Sequence, residues 1–351
     1  MKPSELVQAI TACIAMRRPA FVWGGAGIGK STIFRQVVAA LRAKAIAAAG
    51  IIGLAAKAAQ DAPLSDGTYF GFCEFRMVYR DAVDMIGLPF AADGITRYNK
   101  PAGLPHDPNW KGIILFDEWN SAPQQTQTPG YQIFAERTVG EFALPAGAHI
   151  FAAGNRQSDR GVTHRIPDPI LNRWFNLYLE SDVGDWVKWA LGANIRPEVI
   201  AFIRFRPALL NDHSVARECH AFATPRSYEA LSDLLAQGLA PEIESAMIRG
   251  IIGDGAAGEF MAFLSLYRNM VSPDQILLNP TSADVPTNAA ILYALAEALA
   301  RRATTKNIDS VLVYGRRMPA EYTQAMISSA TKLQPALCNT REFIAWASAN
   351  Q

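Results

Sequence analysis

The sequence predicts a parallel α/β domain over residues 1–181, followed by an all-α domain over residues 182–351. Three observations carry that division. Apolar, β-prone runs alternate with helical patterns through the first half, as a parallel sheet requires. The first run leads straight into Gly24-Gly25-Ala26-Gly27-Ile28-Gly29-Lys30-Ser31, a G-x-x-x-x-G-K-[ST] pattern whose chemistry needs a strand before it and a helix after it. Beyond about Asp182 the periodic segments are almost all helical.

Taken in order, Ser4 is expected to cap a first helix with Leu6, Ile10, Cys13 and Ile14 on one face, ended by Arg17-Arg18-Pro19. Ala20-Phe21-Val22-Trp23 reads as a buried strand. After the glycine-rich loop, Ile33, Val37, Val38 and Leu41 fall at helical spacing within Ser31 to Ala45. The alanine-rich stretch Ala39 to Gln60 reads as a long or broken helix. A turn-rich break at 61–67 precedes a second strand within Tyr69 to Val78. Residues 81–108 are rich in Gly and Pro and read as a long loop or small insertion over the sheet. Around it, Arg80, Asp81, Asp84, Arg97 and Lys100 either touch a partner or are solvated loop charges.

Gly112 to Phe116 is a continuous apolar run, as expected of a central parallel strand covered on both faces. A helix over Gln127 to Glu136, a hairpin over Thr138 to Phe142 and a strand over His149 to Asn155 follow. Pro169 opens a short helix, and Phe175 to Leu179 is the last strand of this part. Helices are then expected over 183–191, 197–205, 227–237, 241–252, 258–267, 288–301, 321–330 and 341–349. Ser310 to Tyr314 fits either a strand or a helix. No internal repeat is visible.

Composition bounds the function. Apolar residues make up 50% of the chain and charged residues 19%, a globular balance. The formal net charge of +1 gives no strong pull toward nucleic acid or an anionic membrane. Cys13, Cys73, Cys219 and Cys338 are far apart and form no C-x-x-C pair, so zinc and redox motifs are not indicated. Buried, reduced thiols in a cytoplasmic protein are the expectation. The N-terminus shows no signal-peptide core. The longest uncharged alanine-rich run, 45–56, is too short to span a membrane and is interrupted by Gly50 and Gly53.

The glycine-rich loop is the Walker A pattern. Its backbone N–H groups can wrap phosphates, and the following helix adds the positive end of its dipole. The candidate nucleotide-binding set is Gly24, Gly25, Ala26, Gly27, Ile28, Gly29, Lys30, Ser31 and Thr32. Lys30 supplies a charge for the β- and γ-phosphates of ATP, and the Ser31 hydroxyl suits Mg²⁺. Asp117-Glu118, at the end of an apolar strand, is a Walker B pattern. Asp117 can hold Mg²⁺ and Glu118 can polarise the attacking water; the bland alternative is a pair of acids capping the next helix. Asn155, at the tip of the next strand, either shares that water or is a turn asparagine. Arg173 either reaches a neighbouring subunit's γ-phosphate or is a surface arginine, and Arg165 is a rival for the same role. Arg226, in Ala223-Thr224-Pro225-Arg226-Ser227, either reaches back to the phosphates or simply opens a helix.

The order of these motifs resembles an AAA+ ATPase and, within that superfamily, the MoxR branch. Asp117-Glu118-Trp119-Asn120-Ser121-Ala122-Pro123 is similar to the MoxR Asp-Glu-Ile-Asn-Arg-Ala stretch. Tyr131 to Arg137 with Val139-Gly140-Glu141 is similar to the helix and presensor hairpin after it. Ala152-Ala153-Gly154-Asn155 resembles the sensor 1 strand, Asn172-Arg173-Trp174 the Asp-Arg-Phe arginine-finger segment, and Thr224-Pro225-Arg226-Ser227 sensor 2. The resemblance covers about residues 5 to 235; Trp119, Ser121 and Asn172 depart from it, and nothing after about Arg249 matches. It implies a P-loop core of AAA+ type, then an α-helical lid with a helical C-terminal extension. It also implies a homo-oligomeric ring, commonly a hexamer, with ATP between subunits. The activity implied is ATP hydrolysis that remodels or activates a client protein, with a von Willebrand factor A-type partner. Residues 81–108 and the hairpin 138–144 are the expected client contacts. The main rival is a nucleic-acid-directed motor or loader on the same chassis, which would need a basic channel, and no Lys/Arg-rich run offers one. A P-loop kinase and a nucleotide-gated scaffold are further rivals, opposed by the long helical second half and the intact Asp117-Glu118 pair respectively.

Overall fold

The computed structural model of the protein describes residues 1–156, 163–166, 168–212 and 221–349; Cys219 lies outside them. Two compact units divide the chain, Met1–Glu180 and Ser181–Gln351.

In the first unit, helix α1 (Pro3–Met16) leads to strand β1 (Ala20–Trp23), then α2 (Lys30–Ala48) and α3 (Gly53–Asp61). Strand β2 (Gly71–Arg76) is followed by the short helix α4 (Ala82–Ile86) and an antiparallel hairpin of β3 (Pro89–Ala92) and β4 (Ile95–Tyr98). Next come β5 (Lys111–Asp117), α5 (Gln124–Gln127), α6 (Gly130–Glu136), and a second hairpin of β6 (Thr138–Val139) and β7 (Phe142–Ala143). Strand β8 (Gly147–Gly154), α7 (Asp168–Leu171) and β9 (Phe175–Tyr178) complete the unit. Five strands form one parallel sheet in the order β2-β5-β8-β1-β9.

Period-two side-chain alternation explains why these strands read as continuous apolar runs. Ile113 and Leu115 of β5 share one face with Ala20, Val22 and Phe151, packed against Leu6 and Ile10 of α1 and Ile33, Phe34 and Val37 of α2. Ile114 and Phe116 point the other way, with Phe21, Ile150 and Ala152, into a cluster that includes Trp119, Ile133, Phe134 and Trp174.

Some boundaries differ from expectation, and others settle between the alternatives expected. Lys2, not Ser4, is the N-cap of α1, because Pro3 takes the first helical position, where a missing N–H costs nothing; Glu5 accepts the Lys2 N–H at 3.1 Å. The alanine-rich stretch is broken, with a left-handed turn at Gly50 between α2 and α3. The helix expected over 127–136 is two pieces, divided at Pro129, which has no N–H to donate. Residues 81–108 are a small insertion containing a helix and a hairpin rather than an open loop.

The second unit is all helical among its described residues. It comprises α8 (Val183–Gly192), α9 (Pro197–Phe205), α10 (Pro225–Leu235), α11 (Pro241–Ile252), α12 (Asp254–Arg268), α13 (Pro273–Leu278), α14 (Ala289–Arg302), α15 (Ile308–Gly315), α16 (Ala320–Leu333) and α17 (Arg341–Ala349). Ser310 to Tyr314 is therefore helical, inside α15. Helix α14 joins two cores: Ala290 and Ala294 belong to one, Leu292, Leu295 and Leu299 to the other. Its Glu297 is wholly buried, paired with Arg204 at 2.7 Å and accepting the Ser329 hydroxyl at 2.8 Å. No helix among the described residues is long and apolar enough to cross a membrane.

Candidate active site

The loop of residues 24–29 turns β1 into α2. Gly29 caps α2 with φ +94°, and Gly27 has φ +75°, left-handed values that glycine adopts without steric cost. The Gly24 N–H donates to the Gly154 carbonyl at 3.1 Å, which ties the loop to the end of β8. Lys30 folds over the loop: its Nζ donates to the carbonyls of Gly24 at 2.5 Å and Gly25 at 2.9 Å, and to Asn155 Oδ1 at 2.9 Å. The Ser31 hydroxyl donates to Asp117 Oδ2 at 2.6 Å. Thr32 follows on α2 and is exposed.

Strand β5 ends in buried Asp117, whose Oδ1 accepts the Glu118 N–H at 2.9 Å. Glu118 has φ +55°, uncommon for a residue with a Cβ. Its side chain is exposed and has no hydrogen-bond partner among the described residues. In the turn that follows, buried Asn120 grips the main chain of Asn155. Its Nδ2 donates to the Asn155 carbonyl at 2.7 Å and its Oδ1 accepts the Asn155 N–H at 3.2 Å. The strand order explains the convergence. Strand β8 lies between β1 and β5, so Asn155 at its tip falls between the loop and Asp117.

Two contributors are not singled out by sequence alone. One is Asn120, which the sequence shows only as the matching Asn of the MoxR-like Asp117 to Pro123 stretch, without a role. The other is Arg76, the register partner of Asp117 on β2. Arg76 hydrogen-bonds Glu74 at 3.0 Å, and that bond and charge, reinforced by Asp117 and Glu118, push its pKa up. It is a fixed cation beside the two carboxylates.

The donor set suits Mg²⁺. Ser31 Oγ and Asp117 Oδ2 are hard oxygens side by side, and Mg²⁺ needs only one or two carboxylates when phosphates supply the rest. Among the described residues, no three His, Cys, Asp or Glu side chains gather as a transition-metal site would require.

The arginines are disposed differently. Arg173 precedes β9, so it stands at the amino edge of the sheet, opposite the loop. It is exposed, and its Nη1 donates to the Tyr131 carbonyl at 3.3 Å. Arg165 is exposed and pairs with Asp168 at 3.3 Å; it lines a cleft of about 410 Å³ with Trp23, Asn120 and His164. Arg226 belongs to the second unit, exposed in the first turn of α10, where the Thr224 side chain caps the helix by accepting the Ser227 N–H. Lys30, Ser31, Asp117 and Asn155 are thus brought together with Glu118 beside them, and Arg173 is not among them.

No protein-family model matches the chain, and no curated protein matches it in sequence. Among solved structures it is similar to NtrX from Brucella abortus in complex with ADP, with a TM-score of 0.40 and 13% identity over 99% of this chain and 67% of that one. It is similar to a proposed ATPase from Cytophaga hutchinsonii, with a TM-score of 0.37 and 12% identity over 99% of this chain and 88% of that one. A variant of RuvB from Thermotoga maritima gives a TM-score of 0.35 and 13% identity over 84% of this chain and 80% of that one. Likenesses this distant say nothing about function; what the chain does is read from its own residues.

Proposed function

We propose that the chain is an ATPase of the AAA+ type, similar to the MoxR branch, that converts ATP and water to ADP and phosphate. The observation that carries this reading is the hydrogen-bonded convergence of Lys30, Ser31, Asp117 and Asn155 at the carboxyl edge of a parallel sheet. Lys30 exchanges its carbonyl partners for phosphate oxygens of higher charge. The loop N–H groups and the start of α2 add positive potential at the same place. Ser31 and Asp117 hold Mg²⁺, which when bound neutralises charge on the phosphates. Glu118, whose side chain is exposed, accepts the proton of the attacking water as the new oxygen–phosphorus bond forms and the bond to the ADP oxygen breaks. The Asn155 amide orients that water, and the grip of Asn120 on the Asn155 backbone keeps its side chain in register.

In the same reading Arg226 acts in cis and Arg173 acts on the nucleotide of a neighbouring copy in a homo-oligomeric ring, six copies being the form the resemblance implies. The protein remodels or activates a client, with a von Willebrand factor A-type partner, in the cytoplasm. The insertion after β2 and the hairpin of β6 and β7 contact the client. Exposed Val83, Leu88, Phe90 and Ile95 on that insertion support this role.

Glu118→Gln tests the assignment. It should bind ATP normally and turn it over about 10²–10⁴-fold more slowly. Its mass in solution should rise on addition of Mg²⁺–ATP from that of one 38.2 kDa chain toward that of six, about 229 kDa. Near-normal turnover would overturn the assignment.

A further inference from the structure

Arg17 and Arg18 precede β1, Arg137 follows α6 and Arg173 precedes β9. The four line one cleft of about 540 Å³ at the amino ends of β1, β8 and β9, together with His149 and Asn172. Among the described residues none of these arginines has an ion-pairing carboxylate. The guanidinium bonds they make go to main-chain carbonyls: Arg17 to Ala146 at 3.3 Å, Arg137 to Pro145 at 3.2 Å and Ala148 at 2.7 Å, and Arg173 to Tyr131 at 3.3 Å. A carbonyl satisfies an N–H but leaves the charge uncompensated, and a guanidinium cannot shed its proton.

Two further features bear on the cleft. Burial, then Arg137 and Arg17, push the pKa of His149 down to about 4. Arg17 (φ +54°) and Arg137 (φ +58°) both occupy left-handed C-cap positions, where glycine or asparagine is favoured. The helix dipole accounts for a cation at each helix end. It does not account for four meeting without a counter-charge.

The size of the cleft suits a small ligand, and guanidinium forks match phosphate oxygens in pairs. Its own P-loop lies beyond the far end of β1, a four-residue strand about 13 Å long. Phosphates held there would therefore not be those in its own P-loop. We propose that Arg17, Arg18 and Arg137, beside Arg173, form a cradle for the phosphates of the nucleotide seated in the P-loop of a second copy of this chain. The inference rests on the ATPase reading above and extends a single trans-acting arginine to a four-arginine receptor.

The test is the double variant Arg17→Ala/Arg18→Ala, in which both residues are exposed. Turnover should fall by roughly tenfold or more, the loss expected from one or two charged hydrogen bonds. ATP binding by dilute single copies, which does not draw on the cradle, serves as the folding control. Turnover should return in part when the variant is mixed with Lys30→Ala, whose P-loop is disabled and whose cradle is intact. Unchanged turnover, or no recovery on mixing, overturns the cradle and leaves the ATPase reading standing; absence of ATP hydrolysis by the unmodified protein overturns the ATPase reading itself. A second readout needs no turnover. Tripolyphosphate added to Lys30→Ala protein should raise the His149 pKa above about 4 in a proton NMR titration, with His149→Gln identifying the signal. No shift overturns the oligophosphate chemistry. A shift without recovery on mixing assigns the cleft to free nucleotide and overturns the role of the second copy.

Discussion

At the carboxyl edge of the sheet, Lys30 is bonded to Asn155 and Ser31 to Asp117. At the amino edge, Arg17, Arg137 and Arg173 are bonded to neutral carbonyls, with Arg18 beside them. The first edge carries both signs of charge, Lys30 and Arg76 with Asp117 and an exposed Glu118. The second gathers guanidinium groups that have no ion-paired carboxylate among the described residues. One strand's length separates them, so neither completes the other within one copy. Stacked between two copies, the edge proposed to hold phosphates would meet an edge whose arginines have no ion-paired carboxylate among the described residues. In the proposed reading, the sheet's parallel direction, rather than any single motif, sorts these residues into two half-sites.

Breaking the amino edge should have the largest effect. Arg173→Ala should lower turnover by about 10³-fold or more, the magnitude of a trans-acting arginine, with ATP binding by single copies preserved; a loss of binding equal to the loss of turnover would instead place Arg173 in the maintenance of the fold. At the carboxyl edge, Asn120→Ala should reduce turnover by roughly tenfold, because two hydrogen bonds that fix Asn155 are removed without touching a phosphate ligand. Steady-state kinetics would read this as a fall in kcat with KM little changed, and an equal change in both would contradict it.

A substitution that adds a single methyl sharpens the point from the packing side. A Cβ at Gly130 would sit 2.0 Å from the Trp119 ring, which is buried against Phe116, Phe134 and Trp174. Gly130→Ala should therefore cost about 1–3 kcal/mol of stability by denaturant unfolding and displace the turn that carries Glu118 and Asn120. Wild-type stability would mean that the aromatic cluster yields freely. The smallest expected effect is that of pH on the amino edge. Folded His149 titrates near 4 and its ordinary value is 6.5. The unfolded chain thus holds more protons between those values, and stability is lost as pH falls from about 6.5 toward 4. His149→Asn should flatten that part of a plot of urea midpoint against pH; an unaltered slope would exclude the histidine as its source.

The two edges were unequally legible. Gly24 to Ser31 and Asp117-Glu118 are contiguous because a phosphate cradle and a metal-and-water pair need neighbouring residues, so the chain announces them. The alternation of strand and helix fixed the α/β class, since a parallel sheet covered on both faces leaves continuous apolar runs such as Ile113 to Phe116. Arg17, Arg137 and Arg173 lie far apart in the chain and meet only because the register brings the amino ends of β1, β8 and β9 together. Asn120 is similar: its partner is a main chain on another strand. Helix α13 is too short for a period to show, although Ser272-Pro273-Asp274 is a helix-start pattern. Ser310 to Tyr314 could not be decided by pattern because a short β-branched run suits both states until its neighbours are known.

The most direct test of the two-edge account is to mix two inactive proteins. Lys30→Ala lacks a working carboxyl edge, and Arg173→Ala lacks a working amino edge. Each alone should hydrolyse almost no ATP. Mixed in equal amounts, some neighbours pair an intact P-loop with an intact arginine, and turnover should rise well above that of either protein alone. Turnover that stays at the level of the separate proteins, in mixtures shown by mass to have assembled together, would contradict the claim that one copy completes the site of another.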